Sequence, residues 1–120
     1  MIYLASPYSH KDPEVMLDRF RRVCVVAGRL MEIGEIVFSP IAHTHPIALA
    51  CGLSRGFDYW KRFDEEFISV SHKLVVVTMQ GWRESLGVQA EIKIAVELGK
   101  RVLFIEEYGS YYTEVPGGSD

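Results

Sequence analysis

The period of the hydrophobic positions changes several times along this chain, and each change marks an element. Residues 2–6 form a short apolar run that reads as a buried strand. Met16, Leu17, Phe20, Val23, Cys24, Ala27, Leu30 and Met31 then recur at helical spacing. Asp12 followed by Pro13 gives that helix its start, a capping side chain and then proline at the first helical position. Gly34 supplies a stop. Residues 35–39 hold Ile-Val-Phe and read as a second strand, closed by Pro40. Residues 41–52 are expected to open with a rigid loop, His43-Thr44-His45-Pro46, and to end in a short apolar helix over 47–51. Helical spacing returns over 57–71, with Trp60, Phe63 and Phe67 facing inward. Residues 73–79 are continuously apolar, as in a central parallel strand, residues 85–99 are helical, and 101–105 form a fourth strand. From about residue 107 the chain turns polar and is expected to be an irregular tail whose tyrosines, Tyr108, Tyr111 and Tyr112, lie against a partner subunit.

This alternation of strand and helix predicts one α/β domain over residues 1–120, a doubly wound parallel sheet of four to five strands. In such sheets ligands bind beyond the carboxyl ends of the strands, where the strand order reverses. Three loops would meet there. They carry Ser6, Tyr8 and Ser9; His43 and His45; and Ser85 and Gly87.

Composition narrows the classes. The 120 residues are 48% hydrophobic and 24% charged, ordinary for a globular protein. A net charge of −3 leaves no basic footprint for nucleic acid. Arg19, Arg21 and Arg22 cluster on a helix, where a solvated face explains them as well as an anion site does. Cys24 and Cys51 share no metal-ligand spacing and read as reduced structural cysteines of a cytoplasmic protein. No signal segment is visible, and no apolar run nears the roughly 20 residues that span a bilayer, so no membrane partner is expected.

Several residues point to chemistry. Glu91 shares its helix stripe with Val88, Ala95 and Leu98, where a carboxylate is costly unless it is paired or functional. Asp64 falls beside Trp60, Phe63 and Phe67, so two helices each carry one carboxyl on an apolar flank. Such a pair can divide the roles of nucleophile and acid in breaking a glycosidic bond, or Asp64 can simply bridge structure. His43-x-His45 would point two imidazoles one way in an extended loop, for a substrate, an anion, a structural bond or, with no third ligand evident, a metal. Ser85-x-Gly87 opens a helix, and helix N-termini attract phosphate. The dinucleotide, P-loop and nucleophile-elbow patterns are all absent.

Taken together, Ile2-Tyr-Leu-Ala-Ser-Pro-Tyr8, an aspartate on a Trp/Phe-rich helix, a Leu-Val-Val-Val strand and Ser85-Leu-Gly-Val-x-x-Glu91 resemble the nucleoside 2-deoxyribosyltransferase superfamily. The Ser-Pro-Tyr-Ser-His start and the Gly-Trp-x-x-Ser-x-Gly-x-x-x-Glu block are similar to a DUF1937-like branch. Ser-Leu-Gly-Val-x-x-Glu is also similar to the 2′-deoxynucleoside 5′-monophosphate N-glycosidases. The resemblance implies a flavodoxin-like (Rossmann-like) fold, a nucleotide or nucleoside ligand, homodimers, and neither metal nor organic cofactor. It implies that Glu91 attacks or stabilises C1′, Asp64 assists at the base and Tyr3 positions Glu91. It also implies that Ser85, standing where transferases have aspartate, favours a monophosphate over a free nucleoside. The expected activity is hydrolysis of the N-glycosidic bond of nucleoside 5′-monophosphates; deoxyribosyl transfer, or binding of a nucleotide derivative without turnover, is the alternative. The first-loop arginine of glycosidase relatives is Ser9 here, which leaves the phosphate to neighbouring residues.

Overall fold

Four β-branched and aliphatic runs pair side by side into a parallel sheet: β1 (Ile2–Ala5), β2 (Val37–Phe38), β3 (Lys73–Val77) and β4 (Arg101–Ile105). A fifth strand, β5 (Tyr112–Glu114), joins β4 antiparallel, so the order is β2-β1-β3-β4-β5. The computed structural model describes residues 1–109 and 112–114. The expected irregular tail is therefore in part a strand. Tyr111, with residue 110 and residues 115–120, lies outside the described residues, and Tyr108 is exposed.

Side chains of successive strand residues leave on opposite faces. Ile2, Leu4, Val75, Val77, Leu103 and Ile105 meet α1 (Pro13–Glu32) through Val23, Val26, Ala27 and Leu30. Tyr3, Ala5, Leu74, Val76, Val102 and Phe104 meet α3 (Phe57–Ser69) and α4 (Leu86–Glu97) through Ile68, Val88, Ile94 and Ala95. A sheet covered on both faces in this way is the doubly wound α/β arrangement, compatible with a flavodoxin-like fold. The order reverses between β1 and β3, which places the crevice above the ends of those two strands.

The helix starts follow their capping signals. Asp12 Oδ1 accepts from the Glu14 N–H at 2.9 Å, with Pro13 opening α1. The same pairing of cap and proline recurs at Ser39-Pro40, and it overturns one expectation. Residues 40–46 are not a loop but the first half of α2 (Pro40–Cys51), with Ser39 Oγ accepting from the Ala42 N–H at 3.1 Å. Pro46 sits inside this helix, removing one backbone donor without ending it. The consequence for His43 and His45 is direct: residues two apart on a helix point to different sides. Cys24 and Cys51 are both free, and Cys51 is exposed rather than part of the core. Among the described residues no helix is long and apolar enough to cross a membrane.

Leu74 is fully buried in the centre of the sheet, whereas Leu86, at 85% exposure, heads α4 in solvent. Leu74→Ala is expected to cost about 2–5 kcal/mol, and Leu86→Ala less than about 0.5 kcal/mol, in urea unfolding.

Candidate active site

The site is built where the two faces and three elements bring polar groups into the core. Tyr3 is an odd-numbered residue of β1, so the alternation that sends Ile2 and Leu4 to α1 sends it toward α3 and α4. On α4 the buried stripe is Val88, Glu91, Ile94 and Ala95. Glu91 is 6% exposed, so the carboxyl on the apolar stripe faces the sheet. Leu98, expected on the same stripe, is half exposed beyond the helix end. Asp64 comes from α3, partly buried behind Phe63 and Phe67, while Glu65 and Glu66 face solvent.

These three side chains meet at one atom. Tyr3 Oη lies 2.5 Å from Glu91 Oε2 and 2.8 Å from Asp64 Oδ1. A phenol has a single proton to donate. Both contacts are hydrogen bonds only when one of the carboxyls is itself protonated and donates to the phenolic oxygen. The environment favours that state. Burial pushes Glu91 well above the usual carboxyl range, and the charge of Asp64 adds to the push, against the Tyr3 hydrogen bond. Asp64 is raised to about 6, chiefly by burial, with the Tyr3 bond opposing and Glu65 adding. Burial and then the two carboxyls drive the Tyr3 phenol above the ordinary phenol range, so it stays protonated. Both acids are pushed toward the protonated form, and Glu91 is the more deeply buried of the two.

Ser85 caps α4, its Oγ accepting from the Val88 N–H at 3.1 Å, which leaves the hydroxyl proton free to donate. The first amides of a helix have no partner within it. At Gly87 an added Cβ would make only an ordinary 3.8 Å contact with Ser85 Oγ, so packing does not demand glycine; its absence of side chain leaves the first turn open.

The remaining predicted residues divide between the faces. Ser6 is buried beyond the end of β1, and its Oγ has no protein partner. Tyr8 Oη lies 2.6 Å from His45 Nδ1, and His45 stacks on Phe20 at 4.2 Å between ring centroids. His45 is 6% exposed. His43 is exposed and lies near Phe38 and Phe63, at 5.8 and 6.3 Å between ring centroids, so the two histidines do not share a site. No group of three metal-binding side chains exists among the described residues. Ser9 is exposed, and it is its carbonyl that bonds, accepting from Arg19 Nη1 at 3.2 Å.

Two further residues meet beside this region, one from the arginine cluster of α1 and the glycine that follows β3. Arg19 folds back over the loop after β1, and Gly81 makes room for it: a Cβ at Gly81, whose φ is +96°, would stand 2.7 Å from Arg19 Nη2. Only the glycine in the turn after β3 hinted at such a close approach. Helical spacing alone cannot tell which of three arginines turns inward.

Among known families, the model described as domain of unknown function (DUF1937) matches residues 1–107. No curated protein matches the chain.

The raised carboxyls make stability depend on pH. Asp64 titrates near 3.8 in an unfolded chain and near 6 when folded. The folded protein thus binds more protons than the unfolded chain across that window. Their stabilisation is complete below 3.8 and is lost as pH rises through about 6, with Glu91 extending the loss upward. Urea midpoints measured from acid to neutral pH should fall for the wild type. Glu91→Gln should flatten the slope and exceed the wild type in stability at neutral pH.

Proposed function

We propose a function for this chain, which belongs to the DUF1937 family: hydrolysis of the N-glycosidic bond of (deoxy)nucleoside 5′-monophosphates. The observation that carries the reading is Glu91, a carboxyl buried on the apolar side of α4 and joined through one phenolic oxygen to a second carboxyl on α3. A structural carboxyl seldom accepts such burial, and perturbed acids cluster where chemistry is done. The likeness of Ser85-Leu-Gly-Val-x-x-Glu91 to the 2′-deoxynucleoside 5′-monophosphate N-glycosidases, within the nucleoside 2-deoxyribosyltransferase superfamily, supports the same assignment.

Two carboxyl oxygens that both bond Tyr3 Oη, at 2.5 and 2.8 Å, are closer than the separation of about 6.5 Å or more that an inverting pair needs for its water. The spacing fits a nucleophile with an acid. In the ground state the proton lies on Glu91, with Tyr3 donating onward to Asp64. A relay through the phenol, in which Tyr3 Oη takes the Glu91 proton as it gives its own to Asp64, leaves Glu91 as the carboxylate. As the C1′–N bond breaks, its electron pair leaves with the base, which takes the proton from Asp64. Glu91 attacks C1′ or stabilises its cation, and water then delivers hydroxyl to C1′ and returns a proton to the carboxyl pair. Ser85 and the open amides of α4 hold the 5′-phosphate, where a carboxylate would repel it. The ring oxygen and these fixed charges stabilise the transition state without a metal or organic cofactor.

Chromatography of reactions with a panel of deoxynucleoside 5′-monophosphates should show base release by the wild type and slower release from the matching nucleosides. Glu91→Gln should abolish it, and Asp64→Asn should lower kcat on the order of a hundredfold to ten-thousandfold. No release, or release unchanged in Glu91→Gln, would sink the reading. Base exchange in place of hydrolysis would identify a transferase, and tight binding without turnover a nucleotide-binding protein.

A further inference from the structure

The loop after β1 covers a group of polar atoms that the carboxyl chemistry does not use. Three features converge on Tyr8. Arg19 Nη1 donates to the Tyr8 carbonyl at 3.4 Å and to the Ser9 carbonyl at 3.2 Å. Tyr8 Oη meets His45 Nδ1 at 2.6 Å. Phe20, next to Arg19 on α1, stacks on the same imidazole. Ser6 follows the last residue of β1 and opens this loop.

What these groups have in common is unspent donors. When the Tyr8 phenol donates to Nδ1, a neutral imidazole carries its proton on Nε2. That Nε2 is buried without a protein acceptor, and Ser6 Oγ is buried without any protein partner. The two residues are 6% and 5% exposed. The Arg19 guanidinium has five N–H groups, and its bonds to the loop use only Nη1, on two carbonyls. No carboxylate pairs with Arg19 among the described residues, whereas its neighbour Arg22 is held by Asp18 and Glu107. Buried donors without acceptors are costly, and these two adjoin one loop: Ser6 precedes Tyr8, His45 bonds the Tyr8 side chain, and Arg19 holds the Tyr8 and Ser9 carbonyls. A water could satisfy one or two of them, but it would leave the charge uncompensated.

We propose that Arg19, Ser6 and His45 form a seat for a tetrahedral oxyanion under the loop after β1. The guanidinium supplies charge and paired donors, and Ser6 Oγ and His45 Nε2 supply the remaining hydrogen bonds. Gly81 belongs to the seat because any side chain there would displace Arg19 Nη2. The turn that holds Gly81 leads into Ser85, so the seat and the α4 terminus flank the same crevice between β1 and β3. In the proposed reaction this seat takes an oxygen face of the substrate's 5′-phosphate. That assignment rests on the nucleotide reading, whereas the seat itself does not.

Calorimetric titration of inorganic phosphate into the full chain tests the seat. The wild type should bind one equivalent. Arg19→Gln should weaken binding about tenfold or more, as expected for a lost charge-assisted pair, and Ser6→Ala by a smaller factor. Arg21→Gln changes the net charge equally from an exposed position of α1 and should leave binding unaltered. Absence of binding by the wild type overturns the seat. So does equal affinity in Arg19→Gln and Arg21→Gln, or full affinity in Ser6→Ala together with Arg19→Gln. The second arm compares 2′-deoxyguanosine 5′-monophosphate with 2′-deoxyguanosine. Arg19→Gln should erase most of the preference for the monophosphate. A preference that survives overturns the assignment to the substrate's phosphate even where inorganic phosphate binds. Base release by the wild type, measured separately, decides the catalytic reading whichever way these titrations fall.

Discussion

One phenolic oxygen, Tyr3 Oη, holds two carboxyl groups from two different helices, and much of the structure serves that contact. Neither acid would be stable where it lies without it. Glu91 faces a sheet of valines and leucines, and Asp64 sits behind a stack of phenylalanines. The phenol satisfies both, and because it has one proton for two acceptors it forces them to share another. The cost of that arrangement is spread over the aliphatic packing on both faces of the sheet. Local instability of this kind is carried by an over-determined core.

The period of β1 then separates two kinds of chemistry. Odd residues carry Tyr3 to the acids on the α3–α4 side, even residues pack on α1, and the loop that Ser6 opens reaches His45 of α2 through Tyr8. The first side concentrates negative charge and protons, and the second concentrates unpaired N–H and O–H groups around Arg19. A ligand with a base at one end and a phosphate at the other matches such a division, with its sugar between them.

Much of this was legible from pattern. The odd position of Glu91 on an apolar stripe, the inward side of Asp64 and the capping serine at position 85 all follow from helical spacing, and the structure places each accordingly. Tyr3 entered only through resemblance, since a tyrosine in an apolar strand looks like ordinary core. The histidines were misread because Pro46 suggested a loop, although Ser39-Pro40 repeats the start signal that Asp12-Pro13 gives α1. As a result His43 and His45 face apart, and only His45 joins the buried donors. The arginine cluster is legible, but not which of its members turns to the loop after β1. The position of Arg19 depends on a loop crossing and on the small size of Gly81, contacts between distant parts of the chain that no local period encodes.

The central claim is that the reacting carbon lies against Glu91. A crystal structure of the Glu91→Gln protein with a bound deoxynucleoside 5′-monophosphate tests it most directly. The account predicts C1′ within about 3.5 Å of the carboxamide at position 91, the base against Asp64, and the phosphate between Ser85 and Arg19. A nucleotide bound elsewhere, or one whose C1′ faces away from position 91, would contradict it.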